Sequence, residues 1–204
     1  MTIHFHRDDL PPGLSFGDRV AVDTETMGLI PGRDRLCLVQ LSAGDGEAHL
    51  VQIRPGGAPA TRLKALMEDR SVLKLFHFGR FDIAALKRGI GAETGPVFCT
   101  KIASRLCRTY TDRHSLRNLC QELLGVDISK QQQSSDWGAD ELTDAQKEYA
   151  ASDVLYLHRL VDTLAPLLER EGRMAMAQAC FDFLPARADL DLAGWPETDI
   201  FAHS

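Results

Sequence analysis

An apolar run that ends in two carboxylates constrains the fold of this chain more than any other stretch. Val20, Ala21 and Val22 have the composition of a buried strand, and the run continues directly into Asp23 and Glu25. In a strand, side chains two positions apart lie on the same face, so both carboxylates point the same way. Two carboxylates on a buried face repel each other and resist desolvation, and a bound divalent cation is the usual compensation. The alternative is a strand whose polar end reaches solvent, and this stretch alone does not decide between the two.

The length and composition are those of one soluble domain. The 204 residues are 44% hydrophobic and 25% charged, which is enough apolar material for a substantial core. No apolar run approaches the ~20 residues needed to cross a bilayer, and the N-terminus lacks the pattern of a secretory signal. The five cysteines show no Cys-x-x-Cys spacing, which indicates reduced thiols rather than disulfides or a zinc site. We therefore expect a cytoplasmic protein with no membrane partner and one domain over residues 1–204, with a core at about 15–170 and a C-terminal helix and tail at 171–204.

The charge distribution favours a short substrate that is held locally. The net charge is −6, but residues 101–117 contain five basic side chains against one acid, and residues 182–204 contain five acids against one arginine. The basic stretch could hold phosphates, and a solvated helix face is the alternative. Because the global field is weak, a long duplex held by many phosphate contacts is not expected.

Apolar periodicity and turn residues predict strands that alternate with helices. Strands are expected near the N-terminus and at 19–26, 35–42, 48–53, 72–76 and 97–99. Helices are expected at 61–69, 77–86, from 100 onward, and at 114–124, 143–170 and 173–184. Gly44 to Gly46 predicts a hairpin turn, Thr143 and Gln146 form a capping-box pattern, and 128–137 is predicted to be mainly loop. The order of elements predicts an α/β or α+β domain with helices on both sides of a mixed sheet.

Two more carboxylates lie within apolar helical stripes. Asp82 is predicted to share a helix face with Phe78 and Leu86, and Asp153 follows Tyr149 by one helical turn. A salt bridge to a basic residue could explain either carboxylate alone, but convergence with the first pair explains all four together. Oxygen ligands favour Mg²⁺ or Mn²⁺, and four carboxylates suit two ions about 3.5–4 Å apart that clamp a phosphoryl displacement.

Three motifs in this order resemble those of the DEDD exonucleases, tyrosine subclass, which have a ribonuclease H-like fold. The motifs are Asp23-x-Glu25, His77-x-x-x-Phe81-Asp82 and Tyr149-x-x-x-Asp153. The resemblance covers about Val20 to Leu160, and further segments at 99–104, 108–114, 129–137 and 148–158 resemble the small ribonuclease D-like enzymes. Within these, the nano-RNase C group is the most similar. The chain departs from the family pattern at Phe78, where an Asn often follows the motif histidine.

The resemblance implies an α/β fold of the ribonuclease H-like type and a metal-dependent hydrolysis of 3′-terminal phosphodiesters. Asp23, Glu25 and Asp153 would hold the ions, with Asp82 holding the second directly or through water. Tyr149 would complete the catalytic set by orienting or helping to deprotonate the attacking water. The implied substrate contacts are Thr24, Leu29 as an apolar wedge between the last two bases, His77 near the site, and Arg113, His114, Lys130 and Ser135 around a 5′ phosphate.

Three functions remain open from the sequence. The first is a 3′-5′ exoribonuclease that cuts short RNAs, especially dinucleotides, in the last step of RNA decay, assembled as a homo-oligomer with an octamer implied. The second is ribonuclease D-like trimming of tRNA 3′ ends, or exonuclease action on DNA. Long structured RNA is not expected, because the chain has no room for the helical accessory domain of full-length ribonuclease D. The third is a non-catalytic nucleic-acid-binding scaffold. The presence of every motif residue argues against it, because a degenerate site would have lost one of them.

Overall fold

A six-stranded mixed sheet organises the chain in the computed structural model, which describes residues 1–30, 32–128, 132 and 134–203. The strands are β1 (Thr2–Arg7), β2 (Arg19–Thr26), β3 (Leu36–Ser42), β4 (Glu47–Gln52), β5 (Leu73–Phe76) and β6 (Val97–Cys99). Their order across the sheet is β1-β4-β3-β2-β5-β6. The pairs that β3 makes with β2 and β4 are antiparallel, and the other three pairs are parallel. The strand that ends in the carboxylates is therefore central, with a partner on each side.

Seven helices accompany the sheet in the described part of the chain. They are α1 (Thr61–Glu68), α2 (Arg80–Ile90), α3 (Thr100–Cys107), α4 (Leu116–Leu119), α5 (Asp144–Ser152), α6 (Leu157–Arg170) and α7 (Met174–Leu192), and α4 continues into a π-helical turn at Cys120–Leu124. Val39 belongs to the main apolar core, whereas its neighbour Leu38 belongs to a smaller cluster with Trp137 and with Ala150 of α5. Successive residues of a strand point to opposite faces, so helices cover both sides of the sheet. This confirms the predicted α/β class with a mixed sheet.

Local patterns predicted from the sequence are confirmed at several places. The segment Gly44 to Gly46 joins the antiparallel strands β3 and β4. The backbone N–H of Gln146 donates to Thr143 Oγ1 at 3.2 Å, and the backbone N–H of Thr143 donates to Gln146 Oε1 at 2.9 Å. These two hydrogen bonds complete the capping box. All five cysteines are free thiols. Among the described residues, no helix has both the length and the apolar character required to cross a membrane.

The long helix predicted at 143–170 is wrong, because the structure divides it into two. α5 ends at Ser152, residues 153–156 form turns, and α6 begins at Leu157. The apolar positions keep helical spacing through the interruption, so periodicity could not reveal it. The interruption leaves Asp153 as the first residue after α5 rather than within a continuous helix.

The predicted start of the helix at 77 is also wrong. α2 begins at Arg80, and Phe78 precedes it with a φ of 68°, in the left-handed region. Phe78 therefore does not share a helix face with Asp82. At the other end, α2 continues past Gly89 and ends where Gly91 adopts a left-handed cap with a φ of 68°.

The last predicted helices also differ in their bounds. The helix predicted at 114–124 begins only at Leu116 and becomes a π-helical turn from Cys120. The helix predicted at 173–184 runs to Leu192, past Pro185, because Ala188 and Asp191 are still buried against the rest of the fold. Tertiary packing thus overrides the preference of proline for a helix end.

Candidate active site

Three carboxylates from two elements meet beside the central strand. Asp23 and Glu25 lie on β2, and Asp153 comes from the turn that follows α5. One carboxylate oxygen from each residue lies within 4.8 Å of the others. The register between β2 and β3 shifts after Glu25, so the strand is irregular at the point where it carries these side chains. The structure thus brings together three of the four carboxylates that the sequence singles out.

The fourth carboxylate, Asp82, lies next to this group on the first turn of α2. Its side chain is only 3% exposed, and Thr24 Oγ1 donates a hydrogen bond to its Oδ1 at 2.7 Å. Thr24, which lies between Asp23 and Glu25 in the sequence, is itself buried. Thr24, which the sequence suggests as a substrate contact, therefore touches Asp82 and fixes the position of that carboxylate.

Burial raises the pKa of all four carboxylates, and repulsion from neighbouring carboxylates adds to it for Asp23, Glu25 and Asp153. Burial followed by the charges of Asp82, Asp153 and Glu25 holds the pKa of Asp23 well above its usual value. Burial, followed by the charges of Asp153 and Asp82, raises the pKa of Glu25 to about 9. Burial raises the pKa of Asp82 to about 7, against the hydrogen bond from Thr24, and that of Asp153 to about 7, against the interaction with the Tyr149 hydroxyl. The four groups cannot all ionise at neutral pH without a nearby positive charge.

A hard divalent cation fits this donor set. Asp23, Glu25 and Asp153 supply only oxygen atoms, which suit Mg²⁺ or Mn²⁺ rather than zinc. A dication would remove the repulsion that raises their pKa values, since each carboxylate would then face an opposite charge. Asp82 is not part of the group of donor atoms within 4.8 Å, and its carboxylate is held by Thr24 instead.

Tyr149 stands one helical turn before Asp153 on α5, as the spacing predicts. Its ring packs near that of Trp137, with centroids 6.0 Å apart. Burial, followed by the charges of Asp153, Glu25 and Asp23, raises the pKa of Tyr149 well above its usual value. The phenol is therefore protonated at neutral pH, and it can orient a water molecule by hydrogen bonding.

Leu29 lies in the loop after β2 and is 84% exposed. With Phe78, Phe81 and the tail residue Pro196 it lines a cavity of about 170 Å³. The loop folds back through Asp34, whose Oδ2 accepts the Ile30 N–H at 3.0 Å. A Cβ at position 28 would lie 2.3 Å from Asp34 Oδ2, so only glycine permits this closure. Leu29 is thus an apolar side chain held out from a constrained loop, as a wedge would be.

His77 hydrogen-bonds to protein rather than joining the carboxylate group. Its Nδ1 lies 2.9 Å from Thr100 Oγ1, and that hydroxyl donates to the Phe76 carbonyl oxygen at 3.1 Å. Because the hydroxyl proton is used, Nδ1 carries the hydrogen and Nε2 is left as an acceptor. Burial, followed by the charge of Lys101, lowers the pKa of His77 to about 3, so the ring is neutral.

A buried arginine organises the segment that carries Arg113 and His114. Arg108 is 1% exposed and donates to Ser104 Oγ at 3.2 Å and to the Arg113 carbonyl oxygen at 3.1 Å. His114 Nδ1 lies 2.8 Å from the same Ser104 hydroxyl, and Arg113 Nε donates to Glu122 at 2.5 Å. No individual role was predicted for Arg108, which the sequence marks only as part of the basic stretch and of the segment 108–114.

The remaining predicted phosphate contacts are Ser135 and Lys130. The Ser135 hydroxyl donates to Gln132 Oε1 at 2.6 Å. Lys130 lies outside the described residues.

Sequence reasoning also missed Gln40. It pairs directly with Asp23 in the register of β2 and β3, and it is completely buried. Neither atom of its amide has a hydrogen-bond partner among the described residues. Opposite residues of an antiparallel pair share a face, so this amide lies on the side of the sheet that carries the carboxylates. The signal was a single polar residue in the apolar run 36–41.

Comparison with known proteins gives consistent similarities. A family model described as 3′-5′ exonuclease matches residues 12–169. The structure of Brucella melitensis NrnC, a nano-RNase C, with bound Mg²⁺ is 60% identical, covers 100% of both chains and has a TM-score of 0.95. The structure of NrnC bound to pGG is 61% identical over 100% of both chains, with a TM-score of 0.96. The ribonuclease D of Gluconacetobacter diazotrophicus is 36% identical over 155 residues, which are 76% of this chain and 39% of that protein.

These similarities confirm the resemblance to ribonuclease D-like exonucleases and the ribonuclease H-like fold that it implies. The chain spans about two fifths of the length of the ribonuclease D relative, whereas it matches NrnC from end to end.

Proposed function

Because the chain belongs to the 3′-5′ exonuclease family, we propose that it is a metal-dependent exoribonuclease that hydrolyses short RNAs, dinucleotides above all, to nucleoside monophosphates. The observation that carries this proposal is the full-length similarity, at 61% identity, to NrnC bound to pGG, a two-nucleotide ligand. The weak overall charge of −6 agrees with a substrate that has few phosphates. The reaction belongs to the end of RNA decay, where very short fragments remain.

The donor set supports two divalent cations, Mg²⁺ or Mn²⁺. Asp23, Glu25 and Asp153 would hold them, and Asp82 would reach the second directly or through water. When bound, such ions polarise the scissile phosphate and stabilise the charge that develops on it. Thr24 restrains Asp82, so the fourth carboxylate is already oriented before a cation binds.

Tyr149 acts on the attacking water. Its phenol is neutral, since burial and three carboxylates raise its pKa. A neutral phenol beside Asp153 donates one hydrogen bond and accepts another, which fixes the direction of a water lone pair. Tyr149 therefore orients the nucleophile for its attack on the phosphate.

Substitution of Tyr149 and Asp153 tests the mechanism. With a 5′-labelled dinucleotide and Mg²⁺, Asp153→Asn should lower kcat by more than about 10³-fold, and Tyr149→Phe by about 10²-fold. Asp182→Asn is the matched control, because Asp182 is exposed on α7 and belongs to none of the motifs or proposed substrate contacts. Tyr149→Phe should leave the melting temperature nearly unchanged. Undiminished activity of Asp153→Asn would remove the carboxylate site from the mechanism.

Leu29 and a set of polar side chains hold the two ends of the substrate. Leu29 projects into solvent beside the cavity near α2 and is proposed to separate the last two bases. Arg113, His114, Lys130 and Ser135 are proposed to contact a 5′ phosphate. His77, with its Nε2 acceptor, is proposed to receive a ribose hydroxyl. Leu29→Ala should raise KM for a dinucleotide about tenfold, which corresponds to about 1.4 kcal/mol, within the range of one stacking contact.

Substrate length separates this function from its nearest alternative. The similarity to ribonuclease D favours trimming of tRNA 3′ ends as the second candidate, with DNA as a further substrate. Turnover should be measured on RNAs of two to twenty nucleotides, on a tRNA precursor and on single-stranded DNA. The proposal requires that the dinucleotide is cleaved fastest. A dinucleotide cleaved no faster than a seven-nucleotide RNA would refute the preference, and no cleavage of any substrate would favour a binding scaffold.

The assembly is proposed to be a homo-oligomer of eight subunits. Eight chains of 22.6 kDa have a mass of about 181 kDa, which light scattering measures directly. A mass near 22.6 kDa at micromolar concentration would overturn this part of the proposal.

A further inference from the structure

Four side chains with metal-binding atoms share one face at the edge of the sheet. His4 and His49 are register partners in the parallel pair of β1 and β4. His6 and Glu47 lie two positions along their own strands, so they point to the same side. Two strands, β4 and β3, separate the edge strand β1 from β2 and its carboxylates. This group, the edge histidine cluster, therefore belongs to a different part of the molecule from the candidate active site.

The donor atoms are already close to one another. His4 Nε2 lies 2.8 Å from Glu47 Oε2, and His6 Nε2 lies 3.1 Å from His49 Nδ1. One donor atom each from His4, Glu47 and His49 lies within 4.8 Å of the other two. Neighbouring donors around a tetrahedral zinc ion with bonds of about 2.0–2.1 Å are about 3.4 Å apart, so modest rotation of these side chains would complete a site.

Stacking orders the three rings of the edge histidine cluster. The ring of His49 stacks on His4 with centroids 4.6 Å apart and on His6 at 5.4 Å. Phe16 packs edge-on against His49 and covers one side of it. Burial, followed by the charge of His4, lowers the pKa of His6 and of His49, so each of these rings keeps one nitrogen lone pair. A cation bound here would replace the hydrogen bond that now joins His6 Nε2 to His49 Nδ1.

We propose that His4, Glu47 and His49, with His6 as the fourth donor, bind one divalent cation of borderline softness, of which Zn²⁺ is the representative. Imidazole nitrogens prefer Zn²⁺, Co²⁺, Ni²⁺ or Cu²⁺ to Mg²⁺, so this cluster and the carboxylate group take different ions from the same solution. A cation held by both strands would fasten β1 to β4. That link would protect the sheet at an edge, where a strand has a partner on one side only.

Zinc binding in the presence of excess Mg²⁺ tests this proposal. Equilibrium dialysis with Zn²⁺ and 10 mM Mg²⁺ should give one tightly bound Zn²⁺ per chain, and Co²⁺ should give the visible absorption of a tetrahedral nitrogen and oxygen site. His49→Gln and His4→Gln should each weaken binding at least tenfold. His203→Gln is the matched control, because it removes an exposed histidine from the tail. With Zn²⁺ at about a hundred times its dissociation constant, the melting temperature of the wild type should rise by roughly 5–10 °C, and that of His49→Gln should not.

Carboxylate variants distinguish this site from the candidate active site. Asp23→Asn should retain the bound Zn²⁺ together with its melting-temperature shift. Zinc that is lost in Asp23→Asn but kept in His49→Gln would overturn the proposal, as would the absence of bound Zn²⁺ in the wild type. His4 is about two fifths exposed on the edge strand, so His4→Gln provides a folded variant if His49→Gln is unstable.

Discussion

Replacing Asp82 by asparagine should stabilise the protein when no divalent cation is present. The Asp82 carboxyl is 3% exposed and lies among Asp23, Glu25 and Asp153, without a cationic partner among the described residues. An amide of the same shape removes the charge and keeps an oxygen that can accept the hydrogen bond from Thr24. The substitution therefore removes repulsion and desolvation without creating a cavity.

The magnitude follows from the shift in pKa. The ordinary value for this group is 3.8, and burial raises it to about 7 in the folded protein. Between pH 4 and 7 the carboxyl is protonated in the folded state and ionised in the unfolded state, because its pKa is higher in the folded state. The free energy of unfolding therefore falls as the pH rises through this window. At about 1.36 kcal/mol per pH unit, the ionisable Asp82 carboxyl lowers the free energy of unfolding by about 4 kcal/mol at pH 8 and by about 2 kcal/mol at pH 5, relative to a side chain that does not ionise. The other carboxylates share the same surroundings, so their contributions overlap and are not added.

Urea unfolding in EDTA at pH 5 and pH 8 measures this difference. Asp82→Asn should exceed the wild type by about 4 kcal/mol at pH 8 and by about 2 kcal/mol at pH 5, and a chain of this size should gain roughly 8–16 °C in melting temperature at pH 8. Asp112→Asn is the control, and an exposed substitution of this kind should change stability by less than about 0.5 kcal/mol. Saturating Mg²⁺ should stabilise the wild type more than the variant. Equal or lower stability of Asp82→Asn in EDTA at pH 8 would refute the reasoning.

Substitutions at four further positions probe buried polar groups, ion pairs and backbone strain. Gln40→Leu should raise the free energy of unfolding in EDTA by about 1–3 kcal/mol, since it removes an unpaired buried amide, and a loss measured by urea unfolding would contradict this. Asp191→Ala should cost about 2–3 kcal/mol, because Asp191 is buried between two arginines. Asp189→Ala, which removes a half-exposed ion pair with Lys87, should cost less than about 1 kcal/mol in the same measurement. Phe78→Asn should be more stable than Phe78→Val by at least about 1 kcal/mol, because asparagine tolerates a φ of 68° and a β-branched residue does not.

The sequence predicted those features that depend on neighbouring residues. The apolar run before Asp23, the capping box at Thr143 and the turn at Gly44 each fix a local conformation, and the structure has all of them. Asp82 and Asp153 were identified because a carboxylate in an apolar stripe needs an unusual partner. Their convergence followed from that energetic argument and did not require the correct helix bounds.

The features that escaped prediction depend on contacts distant in sequence. No glycine or proline lies between Ser152 and Leu157, so nothing local marks the turn that separates α5 from α6. The role of Arg108 requires Glu122, fourteen positions later, to lie beside it. Gln40 becomes notable only when the register places it opposite Asp23.

The position after His77 combines a left-handed backbone with an exposed aromatic ring. The resemblance to the DEDD exonucleases implies Asn here, and Asn accepts the left-handed conformation that this position has, with a φ of 68°. Phe78 keeps that conformation but replaces an amide with a ring, which is 45% exposed and has Lys101 Nζ 4.2 Å from its centroid. The change therefore affects what the position presents to a ligand.

The small number of phosphates in a dinucleotide predicts a weak salt dependence. Leu29, Phe78 and Phe81 offer contacts for bases in a cavity whose other lining residues include the ion pair of Arg80 with Asp191. A dinucleotide offers one or two phosphates, and binding to a single strand weakens with a slope of about −0.7 per phosphate contact on a logarithmic scale. Between 50 and 200 mM salt, KM for a dinucleotide should therefore rise only about 3- to 7-fold at fixed Mg²⁺. A nuclease that grips a longer RNA through six or more phosphates would lose roughly 10²- to 10³-fold over the same range, and a change of that size would show that phosphate contacts dominate binding.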